Sequence, residues 1–131
     1  MIHSTHVKGI IGEMEFTIHL LKKGYVILRP INPNSSYDLV IEKDGLYTRL
    51  QIKYLTPKNG RLRVEFDRPK RKIGLYQERG VDAMGIYDSM NDTFYLIPLD
   101  KFKNKSGIWI RISQAKNGQI RNINSAIQYS I

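Results

Sequence analysis

Apolar residues recur along this chain in two distinct periods, and the switches between them divide it into elements. Over 5–23, Val7, Ile10, Ile11, Met14, Ile18 and Leu21 return at the three-and-four spacing of one helix face, and Lys22, Lys23 and Gly24 supply a helix end. That stripe is expected to face the core. Residues 25–28 are aromatic and β-branched and are stopped by Pro30 and Pro33, which predicts a short strand leading into a loop through Asn34, Ser35 and Ser36. Strands are expected over 37–43 and 46–54, on either side of Asp44-Gly45, a pair that tolerates the positive φ of a tight hairpin turn. Beyond a loop at 56–60, residues 62–66 alternate as a strand does, and the basic segment behind them is assigned a short helix ending before Gly80. A second hairpin is expected over 83–87 and 93–97, turning at Asn91-Asp92, with a further strand over 108–112. After Ser113 no period is clear. Helix, three strands, helix and further strands make a mixed α/β fold in which helices cover a central sheet.

The first hairpin carries the most chemistry. A two-residue turn at Asp44-Gly45 pairs Lys43 with Leu46, and counting back along both strands sets Asp38 opposite Gln51. Residues opposed in this way have Cβ atoms roughly 5 Å apart, so a carboxylate and an amide oxygen there can share one cation. Strand side chains alternate, so Lys53, Val40 and Arg49 join Asp38 and Gln51 on one face, while Leu39, Ile41, Leu50, Ile52 and Tyr54 form an oily face on the other. A slip of one residue would scramble that alternation, so the hydrophobic pattern supports the same register as the turn. An amphipathic hairpin whose polar face only meets water has the same pattern, and context must separate the two. On the predicted helix, Glu13 lies on the Gly9, Glu13, Phe16, Leu20 line beside the apolar stripe, where it either points inward or stays at the surface. Glu15 lines up instead with His19 and Lys22 on a solvated face.

Composition narrows the chemistry. A chain of 131 residues, 41% hydrophobic and 25% charged, suits one folded domain with its own core. Without cysteine there is no disulfide framework or thiolate zinc site, and His3, His6 and His19 lack the spacing of a helical zinc pair. Any metal is then expected on oxygen ligands, which suits Mg²⁺ or Mn²⁺. No apolar run approaches the roughly 18 residues of a membrane span, and residues 1–8 lack the order of a signal peptide, so a cytoplasmic protein with no membrane partner is expected. The formal net charge of +9 favours polyanionic partners. Lys58, Arg61, Arg63, Arg68, Lys70, Arg71 and Lys72 concentrate that charge in a stretch expected to grip nucleic-acid phosphates. Tyr54, Phe66 and Tyr76 lie in or near it, either stacking on bases or serving as core. Ile86, Tyr95 and Ile97 of the second hairpin are likewise either an interface or core.

Taken in order, Lys8-Gly-x-x-Gly-Glu13, Gly24-Tyr25, Tyr37-Asp38-Leu-Val and Gln51-Ile-Lys53 resemble the PD-(D/E)XK nuclease superfamily. The likeness is closest to the small group I intron homing endonucleases, and Val81-Asp82 with Tyr95-Leu-Ile-Pro-Leu is similar to the distal half of their pattern; archaeal-type Holliday-junction resolvases share the Lys-Gly-to-Glu helix. The resemblance implies a restriction-endonuclease-like αβββαβ core and a Mg²⁺-dependent DNA endonuclease (Mn²⁺ as substitute). Asp38 then matches the metal-binding aspartate, Gln51 the position usually held by Glu or Asp, Lys53 the catalytic lysine and Glu13 the helix-borne acid. Gln51 is a departure, since an amide oxygen brings no charge to the cation. Double-stranded or branched DNA is the implied substrate. A symmetric homodimer or homotetramer is implied by the need to cut two strands. A resolvase, or a DNA-binding module on a degenerate nuclease fold, stands as the alternative.

Overall fold

The computed structural model describes residues 3–67, 75–113 and 124–131. The first helix, α1 (Thr5–Lys22), begins where Ser4 caps it, its hydroxyl accepting the Val7 N–H at 3.2 Å, and it ends just before Gly24, which takes φ +87°. Among the described residues seven strands follow: β1 (Val26–Leu28), β2 (Leu39–Lys43), β3 (Leu46–Leu55), β4 (Arg61–Glu65), β5 (Ala83–Asp88), β6 (Thr93–Pro98) and β7 (Gly107–Arg111). Five of them form a mixed sheet in the order β1-β2-β3-β5-β6, antiparallel throughout except for the parallel pair β3 and β5. The other two, β4 and β7, pair with each other as a separate antiparallel ribbon.

Each face of the sheet has its own core. On one, Leu39, Ile41, Leu50, Ile52, Ala83 and Tyr87 pack under Phe16 and Leu20 of α1. On the other, Met84, Ile86, Tyr95 and Ile97 meet Leu62 and Val64 of β4, Ile108 and Ile110 of β7, and the Phe66 and Tyr76 rings. Ile86, Tyr95 and Ile97 are therefore core. The predicted flanking of the sheet by helices is corrected: among the described residues α1 is the single α-helix, and the ribbon covers the second face. Leu62 and Val64 alternate with arginines at period two, and that pattern is satisfied by pairing with Ile110 and Ile108. The helix assigned ahead of Gly80 partly overlaps 68–74, outside the described residues; its described end is a short 3-10 turn, Gln77–Arg79.

The helix presents a different face from the one its aliphatic pattern suggests. Phe16 and Leu20 are fully buried, whereas Val7, Ile10, Met14, Ile18 and Leu21 lie outward, between 39% and 56% exposed. Close approach explains the choice. A Cβ at Gly12 would sit 3.1 Å from the Tyr54 Cβ, and one at Gly85 would sit 3.1 Å from the Phe16 ring, so two glycines let the helix and its aromatic side chain settle directly on the strands. Tight contact along this narrow line outweighs the broader aliphatic one, because dispersion falls steeply with separation. Phe16→Ala should therefore cost about 3–5 kcal/mol of unfolding free energy, read from urea denaturation.

Candidate active site

The β2–β3 hairpin adopts the register its turn dictates. Asp44 and Gly45 take φ of 54° and 78°, Lys43 pairs with Leu46, and the ladder runs back to Leu39 opposite Leu50. One residue further on, the backbone pattern changes. The Asp38 N–H donates to the Leu50 carbonyl at 2.7 Å, and its carboxylate Oδ2 accepts the Ile52 N–H at 2.8 Å. A side chain thus replaces the next backbone acceptor of the ladder, and it holds the Asp38 carboxylate against β3 at the amide flanked by Gln51 and Lys53.

Gln51 and Lys53 point to the face opposite α1, because Leu50 and Ile52 between and beside them are buried against it. Both are partly buried, and their parallel partners on β5 are Met84 and Ile86. The polar face of the hairpin is thus half covered. The Lys53 ammonium lies 5.2 Å from the centre of the Tyr76 ring, a cation–π contact with a fully buried partner. That ring is fixed in turn by the Tyr76 N–H donating to the Phe66 carbonyl at 2.8 Å and the Val81 N–H to the Tyr76 carbonyl at 3.0 Å. Tyr76 is core rather than a base-stacking surface, and it positions the lysine.

Glu13 approaches from the helix layer. Its carboxylate takes the Arg29 guanidinium, which also donates to the Thr17 hydroxyl at 3.2 Å. Leu28 pairs with Val40, so Arg29 continues that register to the level of Leu39, next to Asp38. Glu13 is thereby tied to the edge where Asp38 leaves β2, on the other side of the hairpin from Gln51 and Lys53.

A third carboxylate supports the strand that carries the site. Asp82, just ahead of β5, accepts the Arg49 N–H and Nε at 2.9 Å and its Nη2 at 2.9 Å, while its own N–H donates to the Arg49 carbonyl at 2.9 Å. This bidentate clamp starts the β3–β5 pairing and so places Gln51 and Lys53 against the central sheet. The hydrogen bonds from Arg49 hold the Asp82 carboxyl below its ordinary range despite opposing desolvation. A depressed folded pKa means the contribution is complete above the unfolded carboxyl pKa and is lost as pH falls through the folded one. With the two side chains 46% and 40% exposed, Asp82→Ala should cost roughly 1 kcal/mol at neutral pH. Urea denaturation from pH 7 to 3 should show the difference from the parent shrinking at the acid end.

Of the basic residues expected on DNA, Lys58 is exposed in the β3–β4 turn and Arg61 and Arg63 project from β4; Arg68, Lys70, Arg71 and Lys72 lie outside the described residues. The described residues contain no group of three or more His, Asp or Glu side chains placed to hold a metal. Asp38 and Gln51 instead offer oxygen donors, with Glu13 at the adjoining edge. This donor set fits a hard cation of the Mg²⁺ type in kind, with one carboxylate fewer than the usual pattern.

One helix laid over a mixed sheet, with a central hairpin offering an acid, an amide and a lysine, defines a restriction-endonuclease-like fold. A sequence model of PD-(D/E)XK endonucleases matches residues 3–131, and the chain belongs to that family. Among solved structures, it is similar to the bacterial homing endonuclease I-Ssp6803I, at 25% identity and a TM-score of 0.73 over 98% of this chain and 89% of that one. The Holliday-junction resolvase Hjc of Archaeoglobus fulgidus shares the fold, at 17% identity and a TM-score of 0.50 over 79% of this chain and 84% of that one. Protein 5.3 of Escherichia phage T7 is 33% identical over 55 residues, a stretch that spans 42% of this chain and 47% of the phage protein.

Proposed function

We propose that the protein is a Mg²⁺-dependent DNA endonuclease that hydrolyses phosphodiester bonds in the manner of a homing enzyme, with Asp38, Gln51 and Lys53 as its site. The observation that carries this reading is the Asp38 carboxylate bound at 2.8 Å to the Ile52 N–H, between the amide and the lysine. Asp38 and Gln51 would hold the cation, with Glu13 acting from the helix side of the Asp38 edge, and the cation when bound polarises the phosphoryl oxygen and acidifies water. Water adds to phosphorus in line as the bond to the 3′ oxygen breaks, which leaves 5′-phosphate and 3′-hydroxyl ends. The Lys53 ammonium, steadied by the Tyr76 ring, offsets negative charge gathering on the phosphoryl oxygens at the transition state. Lys58, Arg61, Arg63 and the following basic residues hold the DNA backbone. Cutting both strands calls for two such sites, so the working form is proposed as a homodimer or homotetramer.

Gln51 favours a second reading, a DNA-binding module that has lost catalysis, because one fewer carboxylate weakens the hold on a divalent cation. The substrate test separates these. With linear duplex, plasmid and four-way junction DNA in Mg²⁺, an endonuclease cuts duplex, whereas a resolvase nicks the junction symmetrically and spares duplex. Duplex binding with no cleavage of any substrate in Mg²⁺ or Mn²⁺ would replace the enzyme with the module.

A further inference from the structure

The β4–β7 ribbon has a second face, which neither the core nor the hairpin site uses. Its register sets Arg61 opposite Arg111, Arg63 opposite Trp109 and Glu65 opposite Gly107. Alternation buries Leu62, Val64, Ile108 and Ile110, so Arg61, Arg63, Glu65 and Trp109 project away from the sheet, while the Arg111 Nε is buried. Trp109 is the sole tryptophan of the chain, and it stands 43% exposed on this outer face.

Two guanidinium groups are arranged around that indole. The Arg61 Cζ lies 4.1 Å and the Arg63 Cζ 5.5 Å from the ring centre. Gly107 makes room for this, since a Cβ there would come within 2.8 Å of Arg63 Nη2. Glu65 takes Arg63 Nε at 3.1 Å. Stacking and pairing of this kind fix the plane of a guanidinium in advance, so less rotamer freedom is lost when its fork meets a bidentate acceptor. Arg61 and Arg63 against Glu65 leave the face net positive, which disfavours a second copy of itself and favours a polyanion. The B-DNA major groove, about 12 Å wide, admits a two-stranded ribbon, and guanine O6 and N7 are the pair of acceptors an arginine fork fits.

We propose that the outer face of the β4–β7 ribbon is a groove-binding arm for duplex DNA, with Trp109 as its apolar anchor and Arg61 and Arg63 as its polar contacts. The arm rests on the reading of the protein as a DNA enzyme, yet it is tested without turnover. Because Trp109 is the only indole, its emission reports the ribbon alone. In EDTA, saturating short linear duplex should shift or quench that emission, and single strand of the same sequence should do so less. By anisotropy of a labelled duplex, Trp109→Ala should weaken binding about tenfold, with Trp109→Phe retaining part of the affinity, and Arg61→Ala should lower the salt slope by about one. Far-ultraviolet dichroism checks that each variant folds. Emission unchanged at saturation, Trp109→Ala binding at parental strength, or a preference for single strand would overturn the arm. Cleavage with a silent Trp109 defeats the arm and spares the nuclease, whereas a responsive Trp109 with no cleavage does the reverse.

Discussion

Asp38→Asn is expected to remove cleavage by on the order of 10³-fold or more, the scale of several kcal/mol of transition-state stabilisation supplied through a bound cation, while leaving the fold in place. The asparagine oxygen can still accept the Ile52 N–H now bound at 2.8 Å, so the end of the hairpin keeps its anchor. What disappears is the formal charge that attracts the divalent cation. Gln51 opposite contributes only an amide, so that position does not make up the lost charge. Duplex affinity should hold or tighten, because a negative charge near the phosphates has gone. Single-turnover cleavage, denaturation midpoint and duplex affinity measured on one preparation separate these effects; a falling midpoint together with falling activity would make Asp38 structural.

Lys53→Ala should slow cleavage by on the order of 10²–10³-fold, the typical loss when one group facing developing transition-state charge is removed. The neighbourhood keeps this effect local. Tyr76 is fixed by its own backbone hydrogen bonds and is fully buried. Loss of the cation–π contact should cost no more than about 1 kcal/mol of stability. The rate at saturating Mg²⁺ and DNA is the decisive readout, since added cation or substrate cannot restore a missing transition-state contact. Recovery at high Mg²⁺ would move Lys53 from catalysis to cation binding.

The hairpin was legible in the sequence because two local signals agree there: Asp44-Gly45 sets a two-residue turn, and period-two alternation from Leu39 to Tyr54 allows one register. Both are short-range properties, and so the Asp38 and Gln51 opposition could be counted out. The packing face of α1 was not legible. Val7, Ile10, Met14, Ile18 and Leu21 make the broader stripe, and only contact with Gly85 and Tyr54, residues far along the chain, selects Gly12, Phe16 and Leu20 instead. For the same reason the cover of the second face was not legible: β4 and β7 each read as a strand, but their pairing into a separate ribbon joins segments more than forty residues apart. The supports of the site escaped for a related cause. Nothing in the local pattern links Tyr76 to Lys53 or Asp82 to Arg49; these pairs exist through the parallel joining of β3 and β5.

Nicking and linearisation of supercoiled plasmid, followed before and after addition of Mg²⁺, test the central claim most directly. The parental chain should convert plasmid only with Mg²⁺ present, stop on addition of EDTA, and leave 5′-phosphate ends that ligase can seal; Asp38→Asn should do none of this. Equal conversion by the parent and Asp38→Asn, or conversion that continues in EDTA, would place the chemistry away from this hairpin.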